Sequence, residues 1–286
     1  MHAQSTKLAT QLSKASIKKL WNVYSEFEWP ASLPDDIWYM SPELISLHGT
    51  SFYETLGEAQ QKKLSFWELC NFFSLVLQGE RPLVQGVAHL LYSKSTQKEV
   101  GDYLHHFLDE ENKHMTMFGM FCNRYAGKVY PEKKLKLPRQ YVKGEEEVAF
   151  FCKVLVVEEL GDYFNCVLMR DKRIHPLVQK INKVHHVDEA RHLAFGRQYL
   201  RELAERWLPK WSDETKASFR GWLASYLRSS WGDYYNPTMY KDAGLENGYE
   251  LRQLAFSSGL ELRRTASSKA VEFFVAAGLL AEVPEL

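Results

Sequence analysis

The sequence predicts an all-α protein with a four-helix bundle at its core, and three observations predict it. Apolar residues recur at helical spacing almost throughout, and no stretch alternates strictly between apolar and polar as a half-buried strand does. The stretch 28–57, with Pro30, Pro34, Pro42, Gly49 and Gly57, interrupts that periodicity as a loop does. Two of those stretches repeat one pattern of carboxylates and imidazole, which puts a shared chemistry on separate helices. No Gly/Ser-rich linker divides the 286 residues, so one domain is expected over 1–286, with its core at about 58–205 and helical extensions at 1–57 and 206–286.

A first helix is expected over 6–27, stopped by Trp29-Pro30. Residues 28–57 hold Pro30, Pro34, Pro42, Gly49 and Gly57 and read as loop with short helical turns. A long helix follows over 58–92. Pro82 removes one backbone donor there and crowds the preceding turn, so a bend is expected. The next helix covers 96–127, with Thr96 and Glu99 spaced as a capping box and Gly127 suited to the residue past its end. Residues 131–144 form a basic connector. The helix over 145–170 opens on glutamates, where the helix dipole favours negative charge. Pro176 suits a first helical position, and its helix reaches Trp207 ahead of Pro209. Another helix is expected over 212–230. Beyond the turn signals Asn236-Pro237 and Gly244 come two weaker helical stretches.

Lys+Arg and Asp+Glu number 36 each, a net charge of +0, which excludes a nucleic-acid binder that works by displacing counterions. The four cysteines, Cys70, Cys122, Cys152 and Cys166, lack the spacing of a zinc or iron–sulfur site and read as buried free thiols, which suits a reducing cytoplasm. The most apolar run, 148–157, is short and interrupted by Lys153, so no membrane span is expected. Residues 1–20 carry lysines and no apolar block, unlike a secretory signal.

The informative feature is an approximate internal duplication. HHFLDEENKH at 105–114 and HHVDEARH at 185–192 both contain Glu-x-x-His, as Glu111 with His114 and Glu189 with His192. Positions three apart share a helix face, so each pair aims a carboxylate and an imidazole at one point. Glu80 precedes Glu111 by 31 residues and Glu158 precedes Glu189 by the same 31, so the halves repeat at a constant offset of 78. Glu158 rather than its neighbour Glu159 keeps that offset. Glu80 and Glu158 both lie among apolar residues, where a carboxylate is costly unless paired or bound to metal. Glu, Glu-x-x-His, Glu, Glu-x-x-His from four helices is the ferritin-like dimetal carboxylate arrangement. His185 falls on the face of Glu189 and His192 and can join them, whereas Phe107 holds the equivalent place in the first half.

These residues resemble the p-aminobenzoate N-oxygenase family of non-haem di-iron oxygenases. The carrying segments are HPLVQKINKVHHVDEARH (175–192), DEENKH (109–114) and the upstream glutamates, and the resemblance covers about 58–205. It implies a ferritin-like fold with Glu80, Glu111, His114, Glu158, His185, Glu189 and His192 as ligands of two Fe ions. It implies O2 as co-substrate and oxidation of an amine to hydroxylamine, nitroso or nitro product. Manganese suits the same donors.

Around this set, Asp188 is expected to orient a histidine across the bundle, His114, and Arg191 to pair with such a buried acid. No dinucleotide fingerprint or cysteine cluster is present, so electrons are expected from an external donor. The expected partners are thus a small-molecule amine and that donor, with neither nucleic acid nor membrane; a homodimer is left open. Two other readings use the same ligands: a hydroxylase or desaturase acting on carbon, and a ferritin-like iron-handling protein. The aromatic C-terminal part, with Trp222, Tyr226, Trp231, Tyr234, Tyr235 and Tyr240, reads as core packing or as the cap of a substrate pocket.

Overall fold

The structure, a computed structural model, describes residues 3–93, 96–132 and 140–286. Among the described residues all regular structure is helical, apart from an isolated bridge between Trp38 and Ile174. In chain order the helices are α1 (Ala3–Lys18), α2 (Ser51–Glu54), α3 (Glu58–Leu90), α4 (Lys98–Phe121), α5 (Glu145–Leu168), α6 (Pro176–Trp207), α7 (Asp213–Tyr234), α8 (Pro237–Asp242), α9 (Gly248–Ser258) and α10 (Leu260–Ala276). The pairs α3/α4 and α5/α6 pack as hairpins, with α3 also against α5 and α4 against α6. This is a ferritin-like bundle. α1 lies over α4 and α6, while α7 and α10 cover α5 from the other side.

Local chemistry explains the bundle. The first turn of α5 carries Glu145, Glu146 and Glu147. Its buried residues surround the helix, as expected of an element packed between α3, α6, α7 and α10. α6 starts where His175 accepts the Leu177 amide hydrogen at Nδ1 (3.2 Å) and Pro176 takes the first helical position. α3 continues as one helix through Pro82. A Cβ on Gly79 would lie 2.6 Å from Val157 Cγ1, so this glycine lets α3 and α5 approach closely beside Glu80.

Three expectations change. The first helix ends at Lys18, not at residue 27, and the unwound chain turns the indole of Trp21 into the bundle. Thr96 does not cap α4: Gln97 holds the N-cap position, and the Thr96 hydroxyl donates instead to the Leu90 carbonyl at 2.7 Å, closing the turn after α3. A short helix, α8, occupies the stretch between the turn signals Asn236-Pro237 and Gly244, ahead of the two expected helical stretches, α9 and α10. The end of α4 passes into a π turn, Cys122–Ala126, closed by Gly127 at φ 68°. Of the basic connector 131–144, residues 133–139 lie outside the described residues.

Gly144, ahead of α5, combines φ 82° with a close approach: a Cβ there would lie 2.2 Å from Trp207 Cδ2. Gly144→Ala therefore meets left-handed strain and a steric clash together and is expected to cost about 2–4 kcal/mol. Thermal unfolding should show a midpoint lowered by at least about 4 °C; an unchanged midpoint would contradict this packing.

Candidate metal centre

Glu80 on α3, Glu111 and His114 on α4, Glu158 on α5, and His185, Glu189 and His192 on α6 all point into the bundle, none more than 4% exposed. Helical spacing does the local work: Glu111/His114 and Glu189/His192 are i,i+3 pairs, and His185/Glu189 is an i,i+4 pair.

Six of the seven form two overlapping groups in which the possible donor atoms lie within 4.8 Å of one another: Glu80, His114, His185 and Glu189; and Glu111, His114, Glu189 and His192. Glu189 faces both ends, with Oε1 2.9 Å from His185 Nε2 and 3.2 Å from His114 Nδ1, and Oε2 3.3 Å from His192 Nδ1. Glu111 does the same, with Oε1 2.7 Å from His192 Nδ1 and Oε2 3.4 Å from His114 Nδ1. Glu80 Oε1 lies 3.5 Å from His185 Nε2 and 3.9 Å from His114 Nδ1. Glu158 stands outside these two groups but faces Glu189 and Glu111 from α5. The arrangement thus has two ends joined by two carboxylates, with Glu80 and His185 at one end and His192 and Glu158 at the other.

A second layer holds the imidazoles by their outer nitrogens. His114 Nε2 lies 3.1 Å from Asp188 Oδ2, and His192 Nε2 lies 2.9 Å from Glu110 Oε2. Each acid directly precedes a glutamate of the inner set on the opposite helix. Arg191 donates to both acids from Nη2, at 2.5 Å each, and the Trp21 indole donates to Asp188 Oδ2 at 2.8 Å. The Asn165 amide lies 2.7 Å from His185 Nδ1, and its buried oxygen is otherwise unpartnered. Rotated by half a turn, that amide accepts the Nδ1 hydrogen and leaves Nε2 with its lone pair toward Glu80 and Glu189.

The electrostatics follow from burial and crowding. Burial pushes the Glu80 carboxyl up to about 8, and burial together with the neighbouring Glu189 and Glu111 holds Glu158 well above the usual range. Burial opposes the charge of Glu189, yet His192 and His185 hold it well below that range. Burial likewise opposes a charge on His114 and His192, and the carboxylates around them more than reverse it. Asp188 is held at about 2: burial opposes its charge, but His114, Trp21 and Arg191 outweigh it.

The fit to metal rests on atoms without hydrogen-bond partners. Both oxygens of Glu80, Glu111 and Glu189, one of Glu158, Nδ1 of His114 and His192 and Nε2 of His185 are buried and unpartnered. They converge on one another without hydrogen-bond geometry, which is costly in a dry interior and natural around cations. Four carboxylates balance the charge of two divalent ions, and the oxygen and nitrogen donors suit iron or manganese.

Among the neighbours of this centre, Glu159 turns away and pairs with Arg197. His105 contacts the hydroxyl of Tyr92 at 3.0 Å, away from the inner set. Cys70, Cys122 and Cys152 are buried, but Cys166 is partly exposed and sits 3.5 Å from His186 Nδ1, which also meets Asp162 Oδ1 at 2.6 Å. Phe107, at the place equivalent to His185, stacks on His192 with ring centroids 3.9 Å apart. Sequence reasoning missed Trp21, Asn165 and the full role of Glu110. Glu110 carried a signal, because it precedes Asp188 by the same 78 residues that relate the two halves. Trp21 and Asn165 carried none.

Among the described residues no helix is long and apolar enough to cross a membrane. Two relatives are the uncharacterized protein Rv0885 of Mycobacterium tuberculosis and the uncharacterized protein Mb0909 of Mycobacterium bovis, each 26% identical over 218 residues, which is 71% of this chain and 63% of theirs. The chain therefore spans less than two thirds of the length of these relatives. The profile of the p-aminobenzoate N-oxygenase AurF family matches residues 2–278, taking in all four helices that carry the Glu/His cluster. With nearly its whole length matched, the chain belongs to the p-aminobenzoate N-oxygenase AurF family.

Proposed function

We propose that the chain is a di-iron oxygenase that inserts oxygen at the nitrogen of an amine. The observation that carries the reading is the double-ended set of unpartnered carboxylate and imidazole atoms in a chain of this family. Glu80, His114 and His185 would hold one Fe ion, Glu158 and His192 the other, with Glu111 and Glu189 between them. Two ferrous ions bound there would supply the reducing electrons for the activation of O2.

The chain's own residues do the rest. Asp188 and Glu110 each hold a proton on Nε2 of a histidine, so that Nδ1 keeps its lone pair directed inward. Arg191 neutralises both acids, which keeps their charge from drawing the imidazoles away from the centre. With its amide turned so that the oxygen accepts from Nδ1, Asn165 would fix the opposite tautomer on His185, whose inward atom is Nε2. Phe107 and Phe118 close apolar surfaces against His192 and His185 and exclude water from the inner set. Electrons for repeated turnover would come from an external donor, and the chemistry suits a reducing cytoplasmic setting.

Anaerobic loading with ferrous iron, then O2 with a panel of amines and a chemical reductant, tests the reading by mass spectrometry. Hydroxylamine, nitroso or nitro products are expected; products oxidised only at carbon, or iron stored far beyond a pair per chain, would overturn it.

Two substitutions probe the layers separately. Glu189→Ala removes a carboxylate that serves both ends, so bound iron is expected to fall below one ion per chain, whereas His185→Ala should spare the His192 end; metal analysis reads both. Asp188→Asn keeps the shape but loses the fixed acceptor for His114, and a drop of roughly 10–100-fold in metal affinity is expected by competition with a chelator.

A further inference from the structure

Glu68 lies on α3 about 18 Å before Glu80 at the helical rise. It is 6% exposed, and no lysine, arginine or histidine among the described residues pairs with it. Its hydrogen bonds come from the Ser46 amide at 3.1 Å and the Ser46 hydroxyl, both to Oε1. The Ser46 hydroxyl in turn lies 2.7 Å from that of Tyr240. Oε2 takes no hydrogen bond among the described residues. A buried carboxyl with half its acceptor capacity unused, and no cation beside it, is an incomplete site.

The surroundings say what would complete it. Glu68 lines a cavity of about 20 Å³, room for one water-sized group, whose other walls include the rings of Phe72, Phe164, Trp231, Tyr234 and Tyr235. Aromatic faces around a small space beside a carboxylate suit an ammonium group: the rings attract the cation and the oxygen accepts its hydrogen bond. Ser46, Tyr235 and Leu262 also line an outer recess of about 330 Å³, which carries Glu43 and the exposed Glu261 and has space for the body of a small molecule.

Neighbouring side chains link the wall of the inner cavity to the metal centre. Phe72 and Phe164 stack with centroids 4.9 Å apart. Phe164 precedes Asn165, which contacts His185; Phe73, next to Phe72, packs at 4.7 Å on Phe118, which meets His185 edge-on at 4.9 Å.

We propose that this recess is the entry site for a cationic amine, whose ammonium group sits between the Glu68 carboxylate and the aromatic rings, so that the chain selects a positively charged alkyl or aralkyl amine over an anionic arylamine. As a statement about substrate it rests on the amine-oxygenase reading; as a statement about binding it stands alone. Burial pushes the Glu68 carboxyl up to about 8, so at neutral pH it gives up its proton as the ammonium enters. The ionisable groups around it are Tyr53, Tyr234, Tyr235 and Tyr240, all raised by burial and uncharged at that pH, with the Arg263 guanidinium behind Tyr235, donating to its hydroxyl at 3.2 Å, and His48 in the wall of the outer recess. The carboxylate of an anion such as 4-aminobenzoate would meet Glu68 and Glu261 with like charge.

Calorimetric titration of the full chain at pH 7 with 2-phenylethylammonium, in two buffers of different ionisation enthalpy, tests the site. One ligand per chain and net release of most of one proton are expected, with 4-aminobenzoate not bound at the same concentration. Glu68→Gln should weaken binding at least about tenfold and abolish the proton release. Should that variant fold poorly, Leu262→Lys sets a fixed cation in the passage and should abolish binding with Glu68 intact. Equal binding by either variant and the parent chain, or preference for 4-aminobenzoate, overturns the proposal. O2 uptake by the same ferrous-loaded samples separates the two readings: uptake without ammonium binding overturns the recess alone, and ammonium binding without uptake overturns the oxygenase alone.

Discussion

Four carboxylates and three imidazoles share one dry region of the bundle, and the free energy of charge governs what surrounds them. Burial and crowding push the Glu80 and Glu158 carboxyls up, and both oxygens of Glu80 and one of Glu158 lack a hydrogen-bond donor. A pair of divalent ions would relieve both at once. Gathering so many acceptors in the core is costly, which ties the stability of the bundle core to the centre it builds.

The outer layer shows how a near-duplicated sequence makes a centre with unequal ends. Asp188 on α6 serves His114 on α4, and Glu110 on α4 serves His192 on α6, so each half supports the histidine of the other. Arg191 joins the two acids from one helix only, Trp21 reaches only Asp188, and Phe107 stands where the second half has His185. One end thus gains an imidazole and the other gains an aromatic wall. The extra imidazole lies on the side facing Phe118 and Asn165. Such an asymmetry gives the two ends different donor atoms and different walls.

The terminal extensions complete what the bundle begins. α1 and the unwound segment after it cover the α4/α6 seam, where the Trp21 indole both donates to Asp188 and stacks near His114 with centroids 6.4 Å apart. The C-terminal helices wrap α5, and their aromatic residues form both core and cavity wall: Trp231 donates to Ser267 at 2.9 Å while its ring lines the space before Glu68. Core packing and cavity lining, set apart as alternatives in reading the sequence, coincide in Trp231, Tyr234 and Tyr235, whereas Trp222, Tyr226 and Tyr240 line neither of the two cavities beside Glu68 and Glu261.

By itself the sequence determined the helices and the inner set of carboxylates and imidazoles, because both are periodic and local. A helix fixes which residues share a face within two turns, and the repeated offset carried that knowledge from one hairpin to the other, reaching even to Glu110. Tertiary structure alone decided which groups meet across long separations. Trp21 finds Asp188 across 167 residues, Ser46 finds Tyr240 across 194, and Glu68 comes to lie among rings from α5 and α7. No period links such residues; only the packing of whole helices fixes the distance between them, so Trp21, Asn165 and the recess became legible only when the chain was folded, whereas Asp188 and Arg191 were legible beside the ligand pattern of their own helix.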